Sequence, residues 1–392
     1  MSATMLILHV ITGLETGGAE TQLKQLVLGS DSSRFRHVVV SLVEGGPLAG
    51  ELGESGVEVH SLRMRRGVPS LAGTVRLITL LRRLRPDVVH GWLYHGCLMG
   101  LVGARLARVP YVIWGMRSAN ASLQSYSFLT RLVVRLDSML SGLPSRIAVN
   151  SEAGRIVHEQ LGFNTARMRV IPNGVDVEVY CPDQIAGGLV REELGLSPDS
   201  LLVGMFARCN PMKDHQTFFR AASLVHAQNP DVHFLLAGKG VDSDNQQLSK
   251  LIRENKVHDV VHLLGVRRDM PRLIAAVDVV CLPSWSESFP NILVEALSCG
   301  VPCAATNVGD IERIVGNAGR IVPPRSPEAL AGGLVELLGL DPVERQKLGC
   351  QGRHRICAEF PSRESIRLYE AMYENLPSRS DSRVARPVAG HT

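Results

Sequence analysis

The sequence predicts an α/β protein made of two doubly wound parallel sheets in tandem. Three observations carry that prediction. Apolar runs of strand length alternate with amphipathic segments of helix length from residue 5 to about 172. The alternation lapses over 176–200 and then restarts. Strands separated by helices must run parallel, and the segments richest in Gly, Ser and paired charges follow strands, at the carboxyl edge where such sheets take ligands. A chain of 392 residues also suits two cores better than one.

In the first half the expected strands are 5–11, 37–42, 57–60, 86–90, 111–114, 146–150 and 169–172. Helices fall between them, at about 74–84, 97–108 and 126–141 among others, with apolar Val75, Ile78, Leu81 and Leu84 at helical spacing. Gly91–Gly96 reads as an outgoing loop and 117–125 as irregular. Asn173-Gly174-Val175-Asp176 is a turn, and a short helix near 189–194 interrupts the following non-periodic stretch. In the second half strands are expected at 201–207, 232–237, 260–264, 278–282, 302–306 and 320–322, with helices at about 215–228, 244–255, 270–276 and 290–299. The expected division is a first domain at 1–175, a linker at 176–200, a second domain at 201–361, a helix at 362–376 packing back toward the first domain, and a disordered tail at 377–392.

No apolar run approaches the roughly 20 residues that span a bilayer. Met1–Leu8 has no basic region ahead of its apolar run, so it reads as a first strand and not as a signal peptide. The eight cysteines form no Cys-x-x-Cys pair, which fits reduced thiols in a cytoplasmic protein. Residues 1–175 hold 19 Lys+Arg against 11 Asp+Glu, a balance of +8, whereas the rest hold 23 against 27, or −4. The basic half can face an anionic membrane surface or an anionic acceptor; the plain alternative is a set of solvated, arginine-rich helices. Nothing in the sequence points to nucleic acid.

The stretch from Ser284 to Gly300 carries most chemistry. An apolar run, Val279–Pro283, enters a polar loop, and a helix follows with Ser286 or Ser288 as its candidate N-cap, Pro290 near its first turn and Gly300 as its stop. Backbone N–H groups at the start of that helix can hold an anion there. Glu287 and Glu295 frame the junction, and carboxylates accept from hydroxyls. The junction therefore suits a ligand with a phosphate in the middle and a polyol at each end, such as a sugar nucleotide. Arg208 and Lys213 leave the first strand of the second half together, where paired cations suit a diphosphate; alone they are as easily surface ion-pair partners. Gly17-Gly18 lets backbone approach a phosphate, or simply makes a tight turn. His95 lies at a carboxyl edge, although a lone His is more often structural. Asp242-Ser243-Asp244 can be read as a metal–diphosphate triplet, but Asp242 or Asp244 is more simply a helix cap.

Taken together, Gly17-Gly18-Ala19-Glu20, Ile171–Asp176, the Arg208/Lys213 pair and Ser286-Glu287-Ser288-Phe289-Pro290-Asn291-x3-Glu295-Ala296 resemble the retaining GT-B glycosyltransferases, specifically family 4 (group 1), over about 4–376. The resemblance implies two Rossmann-like domains facing a central cleft. It implies that Glu287 bonds hydroxyls of the donor sugar and Glu295 the ribose. Arg208, Lys213 and the N–H groups of Ser288–Ile292 would bind the diphosphate, and Gly265-Val266-Arg267 would lie near the base, with Val266 acting through its backbone. Gly17 and Gly18 would close on the phosphates, and His95 would sit by the transferred sugar. Asn307–Glu312 departs from the family's commoner Gly-Gly ahead of Pro-Glu. The implied reaction is retaining and metal-independent, with no cofactor. It moves a sugar from a nucleotide-sugar donor, a UDP-sugar favoured over GDP-mannose, to a glycan or lipid-linked acceptor in polysaccharide, lipopolysaccharide or glycolipid synthesis. The expected place is the cytoplasm, peripheral to the membrane's inner face. A sugar-nucleotide epimerase of the same fold and a non-catalytic sugar-nucleotide-binding protein are the alternatives.

Overall fold

The computed structural model describes residues 4–65, 67–68, 70–117 and 126–376. The expectations for 118–125 and for the tail from Pro377 lie outside the described residues. The strands are β1 (Met5–Ile11), β2 (Phe35–Val43), β3 (Glu58–Met64), β4 (Val88–Trp92), β5 (Tyr111–Met116), β6 (Arg146–Val149) and β7 (Met168–Val170), followed by β8 (Leu201–Phe206), β9 (Val232–Ala237), β10 (Val261–Leu263), β11 (Val279–Leu282), β12 (Cys303–Thr306) and β13 (Gly319–Val322).

The first seven form one sheet in the order β3-β2-β1-β4-β5-β6-β7, and the last six another in the order β10-β9-β8-β11-β12-β13. Every strand pair is parallel. Parallel sheets are covered on both faces, so alternate residues of one strand feed two different cores. In β1, Leu8 and Val10 enter one core while Ile7 and Ile11 enter the other. In β9, Leu235 and Ala237 face one side and Phe234 and Leu236 the other. That is why these strands read as continuous apolar runs without polar alternation.

The chain divides into two compact units, 1–172 with 365–392, and 173–364. The sequence reading makes 176–200 a linker. In the structure this stretch carries the helix Gln184–Glu193, whose Val190 is fully buried in the second unit's core. The helix Ser362–Glu374 delivers Tyr369, Met372 and Tyr373 to a core of the first unit, beside Ile7, Phe35 and Trp92. The structure adds helices at Pro47–Glu54, Glu152–Gln160, Ile311–Val315, Pro327–Leu338 and Pro342–Glu359 to those the sequence pattern predicts.

Three local readings are corrected. Gly91–Gly96 is not a loop: β4 runs through Trp92 and a helix starts at Leu93. Two glycines permit this abrupt join. A Cβ on Gly91 would stand 2.6 Å from Cys97 Cα, and one on Gly96 would stand 2.4 Å from the Val10 carbonyl oxygen. Leu93 takes up the turn at φ 60°, in the left-handed region, at a cost of about 1 kcal/mol. Neither Ser286 nor Ser288 caps the helix after β11; it spans Asn291–Ser298 with Pro290 at the cap position and no side-chain cap. Neither Asp242 nor Asp244 caps the helix Gln246–Glu254. Asn245 does, its Oδ1 accepting from the N–H groups of Gln247 and Leu248 at 3.1 and 3.3 Å.

Candidate active site

In both sheets the strand order reverses once, between β1 and β4 and between β8 and β11. Ligands of doubly wound sheets bind at the carboxyl ends of the strands flanking such a point. At the second of these points the loops after β8 and β11 meet. Lys213 Nζ makes a short ion pair with Glu287 Oε1, and the fully buried Ser284 donates its hydroxyl to the same oxygen at 2.7 Å. The two loops are further tied by Trp285, whose backbone N–H donates to Met212 O at 3.0 Å and whose indole N–H donates to Pro211 O at 2.8 Å. Lys213 is itself fixed by a short 3-10 turn, Pro211–Lys213, in which Asn210 accepts from the Met212 N–H.

The loop carrying Glu287 is braced from below. Thr306, at the end of β12, donates its hydroxyl to Ser284 O, and the Asp310 N–H donates to Ser288 O at 3.1 Å. Gly309 (φ 62°) touches the same loop; a Cβ there would stand 2.4 Å from the Glu287 carbonyl oxygen. Phe289 packs edge-on against Phe360 at 5.4 Å, which anchors the apolar side. Asn173 donates from Nδ2 to Asn291 Oδ1 at 2.7 Å, so the first helical residue is steered while its backbone N–H points along the helix axis.

Glu295 lies one turn further in, half-buried, with no side-chain hydrogen bond among the described residues. Burial pushes its carboxyl up to about 7. Tyr180 and Cys299 lie near enough for that carboxylate to help push their own groups up, after burial. A half-buried carboxylate without a donor is an incomplete polar site, ready to accept from a hydroxyl.

Lys213 and Glu287 are thus brought together, whereas Arg208 is not part of that pair. It is exposed and makes no hydrogen bond or ion pair among the described residues. Val266 is also exposed and follows Gly265, whose carbonyl accepts from the Gly238 N–H at 2.7 Å. Arg267, beside it, is spoken for by Asp269 and Glu193. An open cavity of about 510 Å³ lies behind the Asn210–Asp214 turn, lined by His215, Arg220, Trp285 and Arg325 among others, and neither Lys213 nor Glu287 lines it. Ser284, Asn173, Thr306 and Gly309 join the site only through the fold. The only sequence signal for Gly309 is a glycine inside a short polar turn.

At the first unit's reversal point the loop after β1 ends at Gly17, the cap position of the helix Gly18–Gly29. The Glu20 carboxylate folds back so close that a Cβ on Gly17 would meet it at 2.5 Å. His95 lies in the first turn of the helix after β4, half-buried, and burial holds its imidazole below the ordinary 6.5. Because β1 and β4 pair in register, Ile11 opposite Trp92, Gly17, Gly18 and His95 all belong to one edge.

A family model described as glycosyl transferases group 1 matches residues 198–339, and one described as glycosyltransferase family 4 matches residues 16–179. Relatives include a UDP-Gal:α-D-GlcNAc-diphosphoundecaprenol α-1,3-galactosyltransferase of Escherichia coli, 28% identical over 70% of this chain and 72% of that protein. Another is a D-inositol 3-phosphate glycosyltransferase of Pseudarthrobacter chlorophenolicus, 30% identical over 71% of this chain and 69% of its own. Among solved structures, Anabaena HepE in complex with UDP and glucose superposes with a TM-score of 0.84 at 21% identity, over 95% of this chain and all of that one. A sucrose-phosphate synthase from Thermosynechococcus elongatus gives 0.78 at 18% over 95% and 98%. These likenesses fix the fold as two Rossmann-like domains of GT-B type. The chain belongs to the family 4, group 1 glycosyltransferases.

Proposed function

We propose that this glycosyltransferase moves a sugar, with retention, from a UDP-sugar to a hydroxyl of a glycan or lipid-linked acceptor without a metal ion. The observation that carries the reading is the Lys213–Glu287 pair at the β8/β11 reversal point, beside a helix start that no side chain caps. On donor binding Lys213 turns from Glu287 to the diphosphate. Glu287 is then free to accept from sugar hydroxyls, and Glu295 accepts from the ribose. Arg208, exposed and unengaged, adds a second cation, and the N–H groups of Ser288 to Ile292 share the phosphate charge with the helix dipole. Val266 flanks the base through its backbone. From the first domain, Gly17 and Gly18 serve the phosphates and His95 the transferred sugar.

The bond from the anomeric carbon to the phosphate oxygen breaks as the acceptor oxygen attacks from the same face. The acceptor proton passes to the departing diphosphate, whose charge the cations and helix terminus stabilise. A UDP donor is preferred over GDP-mannose because the E. coli relative uses UDP-Gal and the Anabaena protein was crystallised with UDP. The diphosphoundecaprenol acceptor of that relative favours cell-surface glycan synthesis at the cytoplasmic face of a membrane.

Lys213→Ala and Glu287→Ala should each lower transfer from a UDP-sugar about 10²–10³-fold with unchanged circular dichroism. Full activity in both variants would overturn the site. UDP at about 100 times its Kd should stabilise the protein by about 2.7 kcal/mol. Stabilisation by GDP and not UDP would reassign the donor. Activity restored by manganese after EDTA treatment would overturn the metal-free reading.

A further inference from the structure

We propose that the outer face of the helix Phe128–Leu140, with the turn that follows it, docks the protein on an anionic lipid surface. The inference rests on the membrane part of the reading above and gives it an address. The helix turns Val134 and Asp137 inward, both essentially fully buried. Phe128, Leu129, Leu132, Leu136, Met139 and Leu143 stand exposed on its opposite side, at spacings of one, three and four residues that keep them on one stripe. Phe128 is 72% exposed and Met139 81%, so this stripe is not the rim of a core.

Arginine dominates the charge around the stripe, and the acids of the neighbouring helix Glu152–Gln160, Glu152 and Glu159, are paired with Arg155. Residues 59–151 hold 13 Arg, no Lys and only two acidic residues, Asp87 and Asp137. Neither acid lies on the stripe. Asp137 is buried, and burial pushes its carboxyl up to about 9, while Asp87 accepts from the Leu6 N–H at 3.0 Å. Exposed Arg135 lies within the stripe. Arg105 reaches the turn after it, donating to Leu143 O at 3.2 Å, and Arg82 donates to Leu106 O at 3.1 Å. The helices Leu71–Leu84, Leu93–Ala107 and Phe128–Leu140 pack side by side over one core, so these arginines line one broad face. An apolar stripe inside a field of cations matches a bilayer of anionic headgroups over acyl chains. A second copy of this chain would bring the same cations against themselves. No described helix is long and apolar enough to cross a membrane, so the contact is to the surface. The Phe128 end also lies at the sheet edge that carries His95.

The test is co-sedimentation of the full chain with vesicles of phosphatidylglycerol and phosphatidylcholine, against phosphatidylcholine alone. Wild type should partition to the anionic vesicles, and salt should weaken it. Leu132→Glu with Leu136→Glu should weaken partitioning about tenfold or more, and Arg135→Gln about fivefold. Both variants should keep the wild-type thermal midpoint and transfer to a water-soluble acceptor. Wild type that binds while the double variant binds equally well would overturn this helix assignment and leave the membrane reading standing. Wild type that binds neither vesicle would overturn both, with the Lys213 and Glu287 results unaffected. A dimer by light scattering that the double variant dissolves, without vesicle binding, would give the face to a second copy and overturn the proposal.

Discussion

The two reversal points share one kind of strand order yet place charge differently. Between β8 and β11 a cation and a carboxylate sit paired at the rim, with Ser284 fixing the shared oxygen. Between β1 and β4 the rim offers glycines, the Glu20 carboxylate and the His95 imidazole, and the layer beneath is a stack of rings with the Arg117 guanidinium 4.7 Å over Trp92. Trp92 donates its indole N–H to His9 Nδ1 at 3.0 Å, which puts the His9 proton on Nε2, bonded to His37 Nδ1 at 2.9 Å. His90 Nδ1 bonds the Tyr373 hydroxyl at 2.8 Å. Burial holds all three histidines below their ordinary value, His37 at about 4. Topology therefore supplies an edge, and the residues leaving the strands decide what chemistry that edge offers a ligand.

The comparison can be broken first at the brace under Glu287. Gly309→Ala places a methyl 2.4 Å from a backbone oxygen at a φ of 62°, so the Glu287 loop must shift. We expect a loss of about 2–3 kcal/mol in urea unfolding and at least tenfold in transfer. Unchanged kcat with the stability loss alone would show that the loop tolerates displacement and that its position is not what charge needs. At the first unit's edge the effect is smaller. His95→Ala should lower kcat about 10–100-fold, because it removes a hydrogen bond and no charge. Since burial keeps His95 neutral, wild-type activity should not lose this contribution between pH 7 and 9. A loss confined to KM would place His95 in ground-state binding instead.

Much of this contrast was legible in the sequence. Strand positions follow from apolar runs, because parallel strands are buried on both faces, and 232–237 coincides with β9 to the residue. Lys213, Glu287 and Glu295 could be singled out because charge beside a buried strand needs a reason. What could not be read is where backbone geometry overrides local signals. The helix after β4 begins inside a Gly-rich segment because Gly91 and Gly96 admit neighbouring backbone, and that depends on where β1 lies. The serines of the β11 loop look like caps, yet Ser284 is drawn to Glu287 and Pro290 takes the cap position. Arg208 and Lys213 look equivalent five residues apart, but only Lys213 pairs with Glu287. The buried ring layer joins residues as distant as His9 and Tyr373, and no local pattern announces it.

The finest test is pH, where single groups pull in opposite directions, Glu295 one way and the buried histidines the other. Glu295 is raised to about 7 in the fold, above its ordinary 4.5, so the folded state holds a proton that the unfolded state releases. Its contribution to stability is therefore present below about pH 4.5 and is lost as pH rises to about 7. For the buried histidines the sign reverses. Their folded values are depressed, so the unfolded state takes up protons first, and stability is lost as pH falls below 6.5. Glu295→Gln should remove the first slope, gaining on the order of 2 kcal/mol at pH 8 and little at pH 5, measured by urea unfolding. Hydroxyls of a bound ribose favour the ionised carboxylate, so UDP should stabilise wild type more at pH 8 than at pH 6, and Glu295→Gln equally at both. A pH-independent UDP effect in wild type would remove Glu295 from the ribose and leave it a strained carboxylate in the second unit's core.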